Sequence, residues 1–305
     1  MRVSLSLQMD STAAQLREAA ERMLNAQRVV TSGKKITKPS DDPTLANRSM
    51  SLRCGINGIA QYQENNNLAK SSIDFAEATV GDIAKELKLL QAQANKVTAT
   101  LSDESRQAML SEIEDIRQRL LGLAGTKYLD KYIFSGTAIN TTPIVANPAD
   151  PAIPPYLYQG DAGIVQLRVQ EDEKIQLNVS ASEIFNLDGS AGAGVADVFT
   201  VIDQLETCVK AGDVQGASDL VTDIGALHSN VLGLQAELGS RSARLEDNAT
   251  ALTDMSNRMK ELLSNLEDAD LPSAIIDLQT QQNVYQAALA VTSQLMQRSL
   301  ADYLS

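Results

Sequence analysis

Tryptophan is absent from the 305-residue sequence, and aromatic residues make up 4% of it. Large rings usually fill the interior of a compact enzyme, because each of them buries a large apolar area. The residues are nevertheless 43% hydrophobic, and most of the apolar side chains belong to Ala, Leu, Ile, Val and Met. This inventory is typical of seams between long helices and argues against a thick globular core.

Histidine and cysteine are almost missing as well. Cys54 and Cys208 lie far apart and form no CxxC motif, so we expect two free thiols. His228 is the only histidine, and it follows Leu227 in a helical pattern, which favours a place at a surface or a seam. Because a metal site needs several ligands at suitable spacing, we expect neither a metal nor a cofactor.

Catalytic motifs are not found. The carboxylate pairs Asp41–Asp42 and Asp268–Asp270 are explained more simply by helix capping and solvated linkers than by acid–base chemistry. The Gly-rich segment 189–194 lacks the preceding strand and the Lys-Ser/Thr of a phosphate loop. No serine stands in a Gly-x-Ser-x-Gly motif. We therefore expect a chain that is not an enzyme.

Long hydrophobic runs and positive charge are scarce too. No stretch approaches the ~20 apolar residues that cross a bilayer. The N-terminus lacks the apolar run of a cleaved signal peptide, so a chain that leaves the cell should keep its N-terminus intact. The net charge of −13 argues against a nucleic-acid partner. Residues 1–60, however, carry nine Lys or Arg against five Asp or Glu, which suits either head-to-tail association or a solvated helix face.

What the sequence does contain is a heptad repeat of apolar residues at both ends, typical of helices that pack in coiled coils. The first run ends at Gly33, a residue that suits a helix C-terminus. Prolines interrupt the next segment, and its Ser and Asp residues are placed to cap a helix that begins at Pro43. The pattern then predicts a long helix over 59–101 and a shorter one over 103–124.

Residues 128–195 have a different pattern. Five of the eight prolines lie between 143 and 155. Segments 164–170 and 174–180 alternate apolar and polar residues as half-buried strands do, and the EDE within the intervening stretch predicts a hairpin turn. GSAGAG, at 189–194, is typical of a linker. Together these features predict a small β-rich insert.

Helical periodicity returns after the insert and includes a second long heptad run over about 227–267. Arg241 and Asn248 interrupt its apolar seam. Polar residues at such positions either fix the register of a coiled coil or face solvent where the bundle is loose, and the sequence leaves both readings open. After Pro272 a last helix reaches almost to the end of the sequence.

The fold class that follows is mainly α with a β-rich insert: a long antiparallel coiled-coil rod and a small β domain. An insert between two helical arms makes the arms run back alongside each other, and packing of their apolar faces stabilises them. The expected parts are an N-terminal assembly helix with its linker (1–45), the N-terminal half of the rod (46–135), an outward β-rich domain (136–194), the C-terminal half of the rod (195–267) and a C-terminal assembly helix (268–305).

The two terminal helices have narrow seams diluted by Ala, Thr, Gln and Ser. Even if they pair with each other, they bury little area as an isolated unit, so we expect them to order fully only when identical subunits associate head to tail. The predicted assembly interface consists of Leu5, Met9, Leu16, Met23 and Val30 near the N-terminus, and Ile275, Leu278, Tyr285, Leu289, Met296 and Tyr303 near the C-terminus.

Several motifs resemble those of the flagellin family, in the same order. VTSGKKITKPSDDP (30–43) is similar to the segment after the first helix of flagellins, and its PSDDP form is more similar to the hook-associated protein 3 branch. YIFSGTAINTTPI (132–144), YLYQGDAGIVQLRV (156–169) and NVSASEIF (178–185) resemble motifs of that branch, and residues 268–304 resemble its C-terminal helix. The Pro-rich stretch 147–155 departs from the pattern, and we interpret it as a loop insertion.

The resemblance implies a structural subunit of the bacterial flagellum that forms the hook–filament junction layer, with a flagellin-type filament subunit as the alternative. It also implies uncleaved export by the flagellar type III apparatus to an extracellular position. The implied partners are other copies in a helical layer, hook-associated protein and flagellin subunits, and a chaperone on the C-terminal helix. A signalling coiled coil would instead predict a membrane span or sensor domain and no YQGD motif.

Overall fold

The computed structural model of the chain describes residues 2–99, 101–147, 156–187 and 195–304, and of residues 2–9 and 295–304 it describes the backbone alone. The chain forms two compact units. Unit 1 contains Met1–Ala60 and Asp254–Ser305, and unit 2 contains Gln61–Thr253. The predicted Pro-rich loop, apart from Asn147, and the predicted linker at 189–194 lie outside the described residues.

The structure is mainly helical with small antiparallel sheets in an insert, which confirms the predicted fold class. The helices are α1 (Arg2–Ser32), α2 (Pro43–Ala94), α3 (Asp103–Ala124), α4 (Ala181–Ile184), α5 (Val198–Ala211), α6 (Val214–Glu267) and α7 (Leu271–Leu304). The strands are β1 (Lys127–Tyr128), β2 (Lys131–Tyr132), β3 (Ile144–Ala146), β4 (Tyr156–Tyr158), β5 (Gln166–Arg168) and β6 (Lys174–Gln176). Within the described ranges, every helix is too short or too polar to traverse a bilayer.

Local signals set the ends of the first two helices as the sequence predicts. Gly33 has a φ of 68°, and its N–H donates to the Val29 carbonyl at 2.9 Å. This left-handed conformation closes α1. The Asp42 carboxylate accepts the N–H groups of Thr44 and Leu45 at 2.9 and 3.0 Å, which caps α2 at Pro43.

The bounds predicted for the long helix, 59–101, are wrong at both ends. α2 begins at Pro43, where the capping residues also predict a helix start, and the half-buried Leu45 and Leu52 continue the heptad of Ile59 back to that start. It ends at Ala94, and Val97 is buried in the turn that follows. The apolar spacing therefore continues past the helix because the turn packs on the same core.

Two other helix predictions have contrasting outcomes. α3 occupies nearly the predicted range, with Ser102 as its N-cap and two acidic residues in its first turn. The helix predicted over 227–267 begins earlier, at Val214. Gly212, with a φ of 70°, ends α5 just before it. The sequence pattern from 195 onward thus comprises two helices.

Within unit 2, α2 and α6 pack antiparallel. The Asn66 amide donates to the Leu245 carbonyl at 2.8 Å, Lys70 donates to Ser242 at 3.2 Å, and Gln91 lies much farther along α2, where it donates to the Val221 carbonyl at 3.3 Å. Residue numbers that increase along α2 therefore pair with residue numbers that decrease along α6. The fully buried side chains that line this packing include Ile73, Val80, Ile83, Leu87 and Leu90 of α2 and Ile224, Leu227, Val231, Leu238 and Leu245 of α6.

The β-rich insert consists of three separate two-stranded antiparallel sheets in the described residues. The predicted hairpin is confirmed, since β5 pairs with β6 and Leu167 faces Ile175 in register. Both strands are three residues long, shorter than the alternating pattern suggests. A side-chain core anchors the insert to the helices, with Phe134, Phe185 and Phe199 all fully buried.

Asp161 of the YQGD motif joins two loops of the insert. Its carboxylate accepts the backbone N–H groups of Thr137 at 2.6 Å and of Gly163 at 3.0 Å, and it also accepts the Thr137 hydroxyl. These bonds, led by that hydroxyl, hold the pKa of Asp161 below its ordinary value. Gly136, with a φ of 71°, packs so closely on Asp161 that no side chain fits there. Two of the motifs that carry the family resemblance, 132–144 and 156–169, are therefore joined by hydrogen bonds.

Asn248 and Arg241, which left two readings open in the sequence, both contact other elements. Asn248 is buried, donates to Asn66 of α2 and to the Val169 carbonyl, each at 3.4 Å, and accepts from Gln170. Arg241 donates to the carbonyl of Gln176, at 3.3 Å, and to a second carbonyl just beyond β6. Both residues therefore join α6 to the insert and do not face solvent at a loose part of the bundle.

Candidate assembly surface

The terminal helices α1 and α7 pack against each other within unit 1. The least exposed side of α1 includes the buried Ala19 and Ala26 and the half-buried predicted residues Leu16, Met23 and Val30. On α7 the half-buried positions follow the spacing of a heptad seam: Ala274, Leu278, Gln281, Tyr285, Ala288 and Thr292. The sequence leaves open whether the two terminal helices pair with each other, and in the structure they do.

The predicted interface residues do not all lie on one surface. Leu278 and Tyr285 belong to the half-buried seam, whereas Ile275 and Leu289 are exposed, at 45% and 42%. The side chains of Leu5, Met9, Met296 and Tyr303 lie outside the described residues. A role of these residues in contacts between subunits remains a prediction. The exposed residues Ile275 and Leu289 are the ones that a neighbouring subunit can contact without a change in the α1–α7 pairing.

A second apolar stripe on α7 was missed by sequence reasoning. Ile276 is 65% exposed, Val284 46% and Val291 54%. Val284 and Val291 are seven residues apart, which is also the period of the seam. The same heptad count could therefore have found this second stripe. On α1, Leu24 is exposed at 52%. Exposed large apolar residues in such number mark a surface that another protein can cover.

The two linkers that lead to the terminal helices are bonded to each other. The Lys35 N–H donates to the Glu267 carbonyl at 2.6 Å, and the Ala269 N–H donates to the Gly33 carbonyl at 2.9 Å. Lys34 and Asp268 form an isolated antiparallel bridge. The C-terminal end of α1 and the N-terminal end of α7 are therefore held side by side.

Glu267 forms the ionic centre of this junction, which sequence reasoning also missed. Its side chain, 6% exposed, accepts from Lys34 at 2.9 Å and from Arg53 at 2.6 and 3.1 Å. The hydrogen bonds of Arg53, followed by those of Lys34 and Ser49, lower the pKa of Glu267 from 4.5 to about 2 against the opposing effect of burial. We refer to Lys34, Arg53 and Glu267 as the linker triad.

The two units differ in charge. Unit 1 holds twelve basic and twelve acidic residues, whereas unit 2 holds fourteen and twenty-seven. The whole net charge of −13 therefore belongs to unit 2. A neutral unit meets little repulsion when copies of it come together, whereas high net charge opposes association.

The residues considered as candidates for catalysis or metal binding occupy the following positions in the structure. Asp42 caps α2, as predicted, and Asp41 accepts the N–H groups of Lys38 and Thr37, which lower its pKa. Cys54 and Cys208 are free thiols, as predicted. His228 lines an open groove on unit 2. In the described ranges no three His, Cys, Asp or Glu side chains are grouped so as to hold a metal ion.

Comparison with known proteins agrees with the motifs. The family model of the bacterial flagellin N-terminal helical region matches residues 3–139, and that of the C-terminal helical region matches residues 221–304. Flagellar hook-associated protein 3 of Salmonella typhimurium is 25% identical over 319 residues, which cover 98% of each chain. The Escherichia coli protein of the same name is 25% identical over 294 residues, or 89% of each.

A solved structure shares the fold. The flagellar junction protein FlgL from Legionella pneumophila superposes with a TM-score of 0.60 at 15% identity, over 72% of this chain and 99% of the other. The similarity to hook-associated protein 3 inferred from the motifs is thus confirmed by relatives that match along nearly the whole chain. The two flagellin models together span well over half of the sequence, and the chain belongs to the bacterial flagellin family.

Proposed function

We propose that this chain is a structural subunit of the bacterial flagellum that forms the junction layer between hook and filament. The observation that carries the proposal is the end-to-end similarity to hook-associated protein 3, which covers 98% of both chains in the Salmonella relative. The exposed apolar residues of α7 and the neutral charge of unit 1 support it, because a polymer of identical subunits needs such a surface.

Deletion of the gene in its own organism tests this function. The expected result is cells that assemble hooks but shed filament subunits into the medium, with filaments restored by a plasmid copy. Intact filaments on the deleted cells would remove the junction assignment. The flagellin-type alternative is separated by abundance, because a filament subunit greatly outnumbers hook subunits in purified flagella whereas a junction layer does not.

The role expected of the terminal helices is to gain apolar partners from neighbouring subunits. Their seam is narrow, and several large side chains remain exposed, among them Ile275, Ile276 and Leu289. Hydrogen exchange on the isolated chain and on assembled flagella measures this gain. We expect the amides of α1 and α7 to exchange much more slowly after assembly; equal exchange in the two states contradicts the role.

Export is part of the proposal. A chain in a flagellar junction leaves the cell, and we propose the flagellar type III apparatus as its route, guided by the N-terminal region and without cleavage. The intact mass of chain collected from flagella tests this point, since removal of more than the initial Met contradicts it.

Before export, the exposed apolar side of α7 requires cover, and we propose a cytosolic chaperone that binds this helix. The chain purified from cells blocked in flagellar export provides the test. Slower hydrogen exchange of α7 there than in the chain alone supports the chaperone, and unchanged exchange argues against it.

A further inference from the structure

An open groove of about 540 Å³ lies on unit 1 beside the C-terminal end of α1. Its lining combines one exposed leucine with the aliphatic parts of polar side chains and includes one positive charge: Leu24, Gln27, Arg28, Thr31, Ser32 and Thr37. The groove is formed by the helix and the linker after it, since Thr37 belongs to the linker. Its apolar wall and single guanidinium suit an apolar side chain with a carboxylate next to it.

The start of α7 presents these two groups together on the same unit. Among the α7 side chains that the structure describes, Ile276 is the most exposed large apolar one, at 65%, and the exposed Asp277 follows it directly. The Asp277 carboxylate accepts from Gln281 at 3.2 Å. Arg28 donates to Thr37 at 3.4 Å and to Asn25. Neither charge has an ion-pair partner within 4.0 Å in the part of the chain that the structure describes.

The groove and the Ile276–Asp277 pair, which we call the ridge, point away from each other. Leu24 lies roughly 160° around α1 from the buried Ala26 of the seam and roughly 100° from the half-buried Met23. Ile276 stands two residues from both Ala274 and Leu278 of the seam, and is displaced by the same roughly 160° around α7. A copy therefore cannot place its own ridge in its own groove.

The charge around the two features is of opposite sign. Residues 22–38 contain five basic and no acidic residues, and residues 261–277 contain five acidic and no basic residues. Within one chain the linker triad uses one pair of these charges, Lys34 and Glu267. Arg22 also forms an ion pair with Glu18 of its own helix. The other charges, Arg28 and Asp277 among them, remain to attract a second copy, since complementary potentials steer association and fix its register.

We propose that the Ile276–Asp277 ridge of one copy occupies the Leu24–Arg28 groove of the next copy. This inference rests on the proposed function and specifies the contact by which neighbours in the layer associate. Both features lie near the bonded linkers, where Gly33 meets Ala269. They are therefore at the same level along the α1–α7 pair, so the contact joins neighbours side by side. Because the groove and the ridge are different surfaces, the contact is heterologous. Each copy uses its ridge on one neighbour and its groove on the other, so the contact propagates from copy to copy.

Charge reversal in a complemented deletion strain tests the pairing. We expect Arg28→Glu and Asp277→Arg each to lower the number of filament-bearing cells by at least about tenfold, since each places like charges together. The double variant should return to wild-type numbers. Arg258→Glu, an exposed reversal on α6 of the same unit, serves as the control and should leave filaments intact.

The outcomes separate the inference from the function. If the wild-type chain fails to restore filaments, the proposed function fails. If wild type restores them and either single reversal does so equally well, the function stands and the groove contact is wrong. Two inactive single variants with an inactive double variant also overturn the contact.

Disulfide trapping provides an independent readout that does not depend on charge. Leu24→Cys combined with Ile276→Cys, in a chain that carries Cys54→Ser and Cys208→Ser so that both native thiols are removed, should give a ladder of cross-linked multimers in isolated flagella. Each single-cysteine variant should remain monomeric, because residue 24 of one copy faces residue 276 of the next copy and not a second residue 24. Monomers alone from flagella of motile double-variant cells would overturn the proposal, as would cross-links to another protein.

Discussion

The linker triad gives the sharpest energetic prediction, because a nearly buried carboxylate holds together the two linkers of unit 1. Replacement of Glu267 by Gln keeps the shape of the side chain and removes its charge. The pKa of Glu267 falls from 4.5 to about 2 on folding, and a shift of that size corresponds to about 3 kcal/mol at neutral pH. Since Lys34 and Arg53 are 40% and 52% exposed, solvent screening reduces this figure toward about 2 kcal/mol.

Two backbone amides report on this energy directly. The N–H groups of Lys35 and Ala269 are bonded between the linkers, so they exchange with solvent when the junction opens. At pH 7, Glu267→Gln should speed their exchange by about 30- to 150-fold, the factor that about 2–3 kcal/mol implies. Glu261→Gln changes an exposed carboxylate of the same helix and should leave both rates unchanged.

The pH dependence has a defined sign. Because the pKa of Glu267 is lower in the folded chain than in the unfolded chain, its contribution is complete above pH ~5 and is lost as the pH falls toward 2. By pH 3 less than half of the difference between wild type and Glu267→Gln should remain. Equal exchange of the two proteins at pH 7, or an undiminished difference at pH 3, would refute the role of the triad.

Three further changes test other parts of the structure. Gly136→Ala should destabilise the chain by about 2 kcal/mol or more in urea unfolding, because the methyl group would stand 2.1 Å from Asp161 at a φ of 71°; Gly122→Ala, which has open space, is the matched control and should not destabilise it. Asn248→Ala should cost about 1–3 kcal/mol, since its partners lose a buried hydrogen bond; an unchanged midpoint would contradict a structural role. Leu289→Asp should leave the monomer's thermal unfolding unaltered, because this leucine is 42% exposed, yet block incorporation into flagella; a lowered melting temperature would show that this position contributes to the independent fold.

Tertiary contacts explain the corrections to helix bounds. The apolar period runs through Val97 although α2 has ended, because the turn packs on the same core as the helix. At its other end, the half-buried Leu52 and Leu45 continue the heptad of Ile59 back toward Pro43. Periodicity reports which residues face a core, and it does not distinguish a helix from a turn that follows the same surface.

The linker junction and the outer ridge of α7 illustrate what periodicity omits. Lys34 and Glu267 are 233 residues apart, so no local pattern connects them. Ile276 and Val291 lie opposite the seam, where a search for a single apolar stripe does not look. Such sites depend on which surfaces the chain covers by its own folding.

The sequence by itself determined the order of the long helices and the place of the β-rich insert, because capping residues, left-handed glycines and heptad spacing act within a few turns of one helix. Gly33, Pro43 and Ser102 stand at helix ends for reasons that their neighbours supply. Only the tertiary structure decided that Asn248 is buried between helix and insert, that Glu267 unites two linkers, and which apolar side chains stay uncovered. Burial and ion pairing are properties of surfaces that distant segments share, and a linear spacing does not contain them.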